Sequence, residues 1–111
     1  MSVTLDIPVG KAVAFGIQLT KDGRIFDMSG ASSVKAVVVT ADNKTKLSDV
    51  VTPTSGLSGA DWANSFAVIQ FLAADTEAIA QRGPAEIEIL VTEGGFSTPF
   101  YVACRLVSTH V

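Results

Sequence analysis

The chain reads as an all-β protein, an immunoglobulin-like antiparallel β-sandwich of about seven short strands with one short helix. Three observations predict this. Apolar residues alternate with period two in one run after another, as they do in strands with one buried face. Clusters of Gly, Asp, Asn and Pro separate those runs. Only one stretch, about residues 73–82, has the composition and end signals of a helix. A small barrel is the alternative packing. With 111 residues, the chain has room for one domain, spanning 1–111.

Val3 to Ile7 alternates Val3, Leu5 and Ile7 against Thr4 and Asp6, and Pro8 and Gly10 end the run. Ala12 to Thr20 repeats the pattern, with Val13, Phe15, Ile17 and Leu19 on one face and only small or uncharged residues on the other. That second face is also expected to be covered. Asp22-Gly23 is a strong hairpin signal, so Ile25-Phe26 should pair back on the preceding strand. Ser33 to Thr40 is apolar on both faces at its centre, as an inner strand should be. Leu47 to Val51 reads as a weak short strand, and Pro53 to Asn64 as the longest loop. The single tryptophan, Trp62, lies near the end of that loop. It is either a plug over the core or an anchor for a partner.

Phe66 to Phe71 alternates again, with Ala67, Ile69 and Phe71 on one side. In the helical stretch that follows, Asp75 and Glu77 lie early and Arg82 late, matching the helix dipole, and Gly83 stands as a stop with Pro84 beyond it. So short a helix needs tertiary contacts, and Leu72 and Ile79 are the side chains expected to pin it. Ala85 to Thr92 places Ala85, Ile87, Ile89 and Val91 opposite Glu86, Glu88, Leu90 and Thr92. A Gly94-Gly95 turn leads into Ser97 to Val107, where Pro99 calls for an edge or a bulge because it has no N–H to give.

Composition narrows the function. The formal net charge is −3 and the eight Lys and Arg are scattered, so no basic stripe marks a nucleic-acid partner. No apolar run approaches the roughly 20 residues of a membrane helix, and MSVTLDIPVG lacks the basic head and apolar block of a signal peptide. Charged residues are 17% of the chain against a usual value of about 25%. A small domain this poor in charge is expected to cover apolar surface with other subunits.

No constellation points to catalysis, and no catalytic residue, cofactor or metal is assigned. The only histidine, His110, lies beside the C-terminus. Cys104 is alone and in phase with the apolar face of its strand, so it reads as a small hydrophobe. Glu86 and Glu88 share a face, but without an oxygen-rich loop they read as solvated acids.

Two segments carry a resemblance. FGIQLTKDGRIFDMSGASSVKAVVV, residues 15–39, runs strand, Asp-Gly turn, short apolar-Asp segment, small-residue turn and Val-rich strand. FLAADTEAIAQRGPAEIEILVTEGG, residues 71–95, runs strand end, Ala-Asp-Thr, helical turn, Gly, alternating strand and Gly turn. Together they are similar to the small β-sandwich modules of tailed-phage virion proteins, such as the N-terminal domain of BppU-type upper baseplate proteins, with relatives in head-fibre and capsid-decoration proteins. The chain departs from that pattern at Pro84-Ala85, where an aromatic often follows the glycine. It also has no fibre or linker after Val111, which shifts the expectation from a baseplate arm to a stand-alone small virion protein.

The resemblance implies a non-enzymatic structural component of a bacteriophage virion, a capsid-decoration, head-fibre or tail/baseplate adaptor protein made in the host cytoplasm. Its partners would be major capsid or tail subunits and itself, as a homo-oligomer, with no nucleic acid and no membrane. Segments 1–9 and 107–111 are candidate docking arms, and Val3, Leu5, Trp62, Phe96, Tyr101 and Val107 are candidate partner contacts. The alternative is a carbohydrate- or receptor-binding module using Trp62, Phe96 and Tyr101 as loop aromatics.

Overall fold

The structure, a computed structural model, describes residues 5–48, 50–52 and 62–108. Its strands are β1 (Leu5–Pro8), β2 (Val13–Gln18), β3 (Thr20–Lys21), β4 (Arg24–Ile25), β5 (Ser33–Val39), β6 (Phe66–Phe71), β7 (Gly83–Glu93) and β8 (Phe96–Val107). One turn of helix, α1 (Ala73–Thr76), and one 3-10 turn, Trp62–Asn64, accompany them. The all-β, sandwich-like fold expected from the alternation is what forms. One layer is a four-stranded sheet in the order β1-β8-β7-β5, and the pairs β2-β6 and β3-β4 make the rest.

The period-two reading fixes the faces. Val34, Ala36 and Val38 of β5, Ala85, Ile87, Ile89 and Val91 of β7, and Cys104 and Leu106 of β8 turn inward against Ile17, Ala67, Ile69 and Phe71. The long β7–β8 hairpin keeps register from Gly83↔Leu106 to Glu93↔Phe96, and Gly94 and Gly95 supply the two left-handed residues at its tip (φ 59° and 84°). Asp22 and Gly23 do the same for β3–β4 (φ 55° and 77°), bringing Thr20 opposite Ile25 as expected.

The structure corrects several expectations. The sheet is mixed, because β1 runs parallel to β8, with Leu5 beside Cys104 and Ile7 beside Leu106. Hairpins impose antiparallel neighbours, whereas β1 and β8 are separated by nearly the whole chain and are free to align either way. Residues 5–9, expected within a docking arm, are instead part of the body: Ile7 is wholly buried, Val9 nearly so, and the Val9 N–H donates to the Val107 carbonyl (3.1 Å). Of the expected strand over 47–51, the described residues show one isolated bridge, Val51 to Ala36 of β5, with a second just before it, Lys46 to Val39. There the Ser48 hydroxyl oxygen accepts the Val38 N–H (2.9 Å), taking the place of a backbone partner.

The helix is shorter than 73–82. It closes after one turn, and Gly83 (φ 102°) opens β7 opposite Leu106 instead of capping a helix. A lone helix of two turns has no stability of its own, and here the long β7–β8 ladder takes up the chain from Gly83. Asp75 still caps the start, accepting the Leu72 N–H (2.7 Å), but Arg82 lies beyond the helix end and donates to the Ile79 carbonyl (3.1 Å) in the connection to β7. Ile79 is buried as expected, but Leu72 is 55% exposed. Thr76 is the second pin: it is fully buried, and its Oγ1 accepts the Gly10 N–H (3.0 Å), tying α1 to the end of β1.

Candidate docking surface

Among the described residues, the outer face of the β2–β6 pair carries no charged side chain. Ala14, Gly16 and Gln18 stand opposite Gln70, Val68 and Phe66, and no residue from Ala12 to Thr20 or from Phe66 to Ala74 is charged. Gly16 has a specific role on this face. A Cβ there would lie 2.7 Å from the Phe66 ring, so the ring rests directly on the glycine backbone. Phe66 is 36% exposed, and Leu72 extends the same apolar strip. Gln18 closes one end, its Nε2 donating to the Asn64 carbonyl (3.2 Å).

The outer face of the large sheet has a different character. Tyr101 lies opposite Glu88 and donates its hydroxyl to Glu88 Oε2 (2.9 Å), while Lys44 pairs with Glu86 and places its Nζ 4.8 Å from the Tyr101 ring centroid. The bond to Glu88 raises the Tyr101 pKa above its ordinary value. Lys44 holds a left-handed backbone (φ 57°) and also donates to the Ala41 carbonyl (2.9 Å). This cluster sits beside Val37 and Val39, which are buried although they face outward. The two glutamates expected to be simply solvated are therefore half-buried and partnered. At the sheet edge Arg105 pairs with Asp6 across β8 and β1 (3.2 Å).

A hollow of about 590 Å³ lies at the hairpin end, where Lys21, Arg24, Ile25, Asp27 and Glu93 line it. Asp27 accepts the Ser29 N–H (2.8 Å), which lowers its pKa. Phe26 below packs edge-to-face on Phe100, with centroids 5.0 Å apart. Among the described residues no three His, Cys, Asp or Glu side chains come together as a metal site, and no helix is long and apolar enough to cross a membrane.

The structure scatters the sequence-predicted contacts. Trp62 packs half-buried against the core, and its backbone carbonyl accepts the N–H groups of Met28 (2.8 Å) and Ser65 (3.1 Å). Phe96 is 82% exposed at the hairpin tip. Tyr101 is five residues further along β8, about 17 Å away at strand spacing, and belongs to a sheet face, not a loop. The three loop aromatics expected of a glycan site do not converge. Leu5 and Val107 are half-buried parts of β1 and β8; Val3 and His110 lie outside the described residues. Cys104 is 2% exposed, and burial, with the Glu86 charge adding to it, pushes its thiol up to about 12. The contact that sequence reasoning missed is Phe66 on Gly16; its one signal was the small, charge-free second face of Ala12 to Thr20.

The chain matches no protein-family model and no curated protein.

Proposed function

We propose that this chain is a non-enzymatic structural component of a tailed-phage particle, a capsid-decoration, head-fibre or tail/baseplate adaptor protein that works by docking onto other subunits. The observation that carries this reading is the charge-free outer face of β2–β6, with Phe66 and Leu72 exposed on it. A folded domain leaves such a strip open when another protein covers it. The resemblance of residues 15–39 and 71–95 to virion β-sandwich modules supplies the setting.

The test is quantitative mass spectrometry of purified particles. The chain should be present in a fixed ratio to the major capsid or tail subunit, and Val68→Lys, a half-exposed position on the strip, should lower that ratio several-fold while the protein still unfolds cooperatively. Absence of the chain from particles refutes the assignment.

The hairpin-end hollow favours a second reading, a carbohydrate- or receptor-binding module. Its rim mixes carboxylates with Lys21 and Arg24 around the half-exposed Ile25. A glycan-array signal abolished by Arg24→Ala would support that reading, and an array without signal would remove glycans as its ligands.

A further inference from the structure

We propose that the hairpin-end hollow binds a sugar that carries an anionic group, held between Lys21 and Arg24. This rests on the carbohydrate-binding reading and adds to it the class of sugar.

β3 and β4 place Lys21 directly opposite Arg24 across the Asp22-Gly23 turn. Cross-strand partners so placed project from one face of the ribbon, and both line the hollow of about 590 Å³. That volume lies within the range of small-molecule sites, about 300–1,000 Å³. Like charges directly opposite each other are destabilising, and a carboxylate in contact with them would relieve the repulsion. None is. Among the described residues the ion pairs are Lys44 with Glu86 and Arg105 with Asp6, and neither Lys21 nor Arg24 enters one.

The carboxylates around the hollow are held apart from the two cations. Asp27 turns one oxygen to the Ser29 N–H (2.8 Å). Glu93 rests on the backbone of Gly30, where a Cβ would lie 2.7 Å from its Oε1. Asp22 stands in the turn itself, with a left-handed backbone (φ 55°). The hollow therefore presents two adjoining cations without a counter-ion and, separately, carboxylate oxygens free to accept further hydrogen bonds. A bare inorganic anion would use the first and be repelled by the second. A ligand suited to both has an anionic group for Lys21 and Arg24 and hydroxyl donors for Asp27 and Glu93. Ile25, 51% exposed, adds an apolar surface for the C–H face of a sugar ring. A sugar acid or a phosphorylated sugar combines these three features in one small molecule.

The experiment is a titration of the intact, isotope-labelled chain with glucose, glucuronate and a glucose phosphate at matched ionic strength, read by amide chemical shifts. At least one of the two anionic sugars should move the amides of Lys21–Asp27 and Glu93 saturably, and should bind about ten-fold or more tightly than glucose, as a charge-assisted hydrogen bond implies. Comparing the two separates a carboxylate ligand from a phosphate one. Arg24→Glu should abolish this binding yet melt no lower than the wild type, because it puts a carboxylate opposite Lys21; Lys21→Glu should do the same. Glucose that binds as tightly as the anionic sugars overturns the proposal and leaves the carbohydrate reading standing. The absence of a saturable shift with either anionic sugar overturns it too, whatever signal a glycan array gives. Shifts confined to another part of the molecule, undiminished binding by both variants, or variants that both melt below the wild type would overturn it as well.

Discussion

Ser65 gives the sharpest test of the local geometry, because its environment combines two costs that one substitution removes. It follows the 3-10 turn at Trp62–Asn64, is wholly buried and adopts a left-handed backbone (φ 61°). Its backbone is satisfied: the N–H donates to the Trp62 carbonyl (3.1 Å) and the carbonyl accepts the Leu19 N–H (3.0 Å). The side-chain Oγ has no hydrogen-bond partner. A side chain in the left-handed region costs about 1–2 kcal/mol, and an unpartnered buried hydroxyl a further ~1–3 kcal/mol. Ser65→Gly removes both, against about 0.5–1 kcal/mol for the greater freedom of glycine in the unfolded chain. The net gain should be about 1–4 kcal/mol, each kcal/mol raising Tm by roughly 4–8 °C for a domain near this size. Ser65→Ala removes the hydroxyl but keeps the Cβ in the left-handed region, so it should gain less than glycine. Thermal unfolding by circular dichroism reads both. A Ser65→Gly protein that melts below the wild type would refute the reasoning, since it would mean that the hydroxyl is satisfied or the backbone is not left-handed there.

Three further outcomes follow from the packing and the titrating groups. Phe71 is the largest wholly buried side chain among the described residues, and Phe71→Ala should cost about 3–5 kcal/mol, read as a lowered midpoint in denaturant unfolding; a loss under about 1 kcal/mol would contradict its place in the core. The single tyrosine can be followed by ultraviolet titration, and Tyr101 should ionise above the ordinary value of about 10 because its neutral hydroxyl donates to Glu88. Its folded pKa is raised, so that contribution to stability is present below the unfolded pKa and lost as pH rises through the folded one. Glu88→Ala should bring the titration back toward the ordinary value, and no change would place the hydroxyl elsewhere. The Cys104 thiol, pushed up to about 12 by burial, should react with a thiol reagent at mildly alkaline pH only as the protein unfolds. The same sign applies: its stability contribution holds below an unfolded pKa of about 8.5 and is lost as pH rises from there toward 12. Stoichiometric labelling of the native protein would contradict its burial.

Much of the fold was legible because alternation assigns faces directly. The inward sets of β6 and β7 could be read from Ala67-Ile69-Phe71 and Ala85-Ile87-Ile89-Val91, and the β3–β4 turn from Asp22-Gly23. Features set by distant partners were not legible. The parallel alignment of β1 depends on β8, almost a whole chain away. Gly83 pairs opposite Leu106 and the Ser48 hydroxyl meets the Val38 N–H, and neither contact can be read from a local pattern.

The candidate surface was harder to read. Exposed aromatics at loop positions are the natural sequence-level choice for a contact, yet Trp62 serves the core and Tyr101 is held by Glu88 and Lys44. The pairing of Phe66 with Gly16 needs the β2–β6 register, which no local pattern specifies. What the sequence did show was a strand without charge, and in the structure that same strand forms half of the charge-free β2–β6 face.

The most direct measurement of the central claim is amide hydrogen exchange across Val13–Gln18 in the free protein and in purified particles. If the β2–β6 face docks onto other subunits, the amides of this strand should exchange more slowly in the particle, while β7 is protected in both. Exchange across β2 that is the same in both would contradict the account.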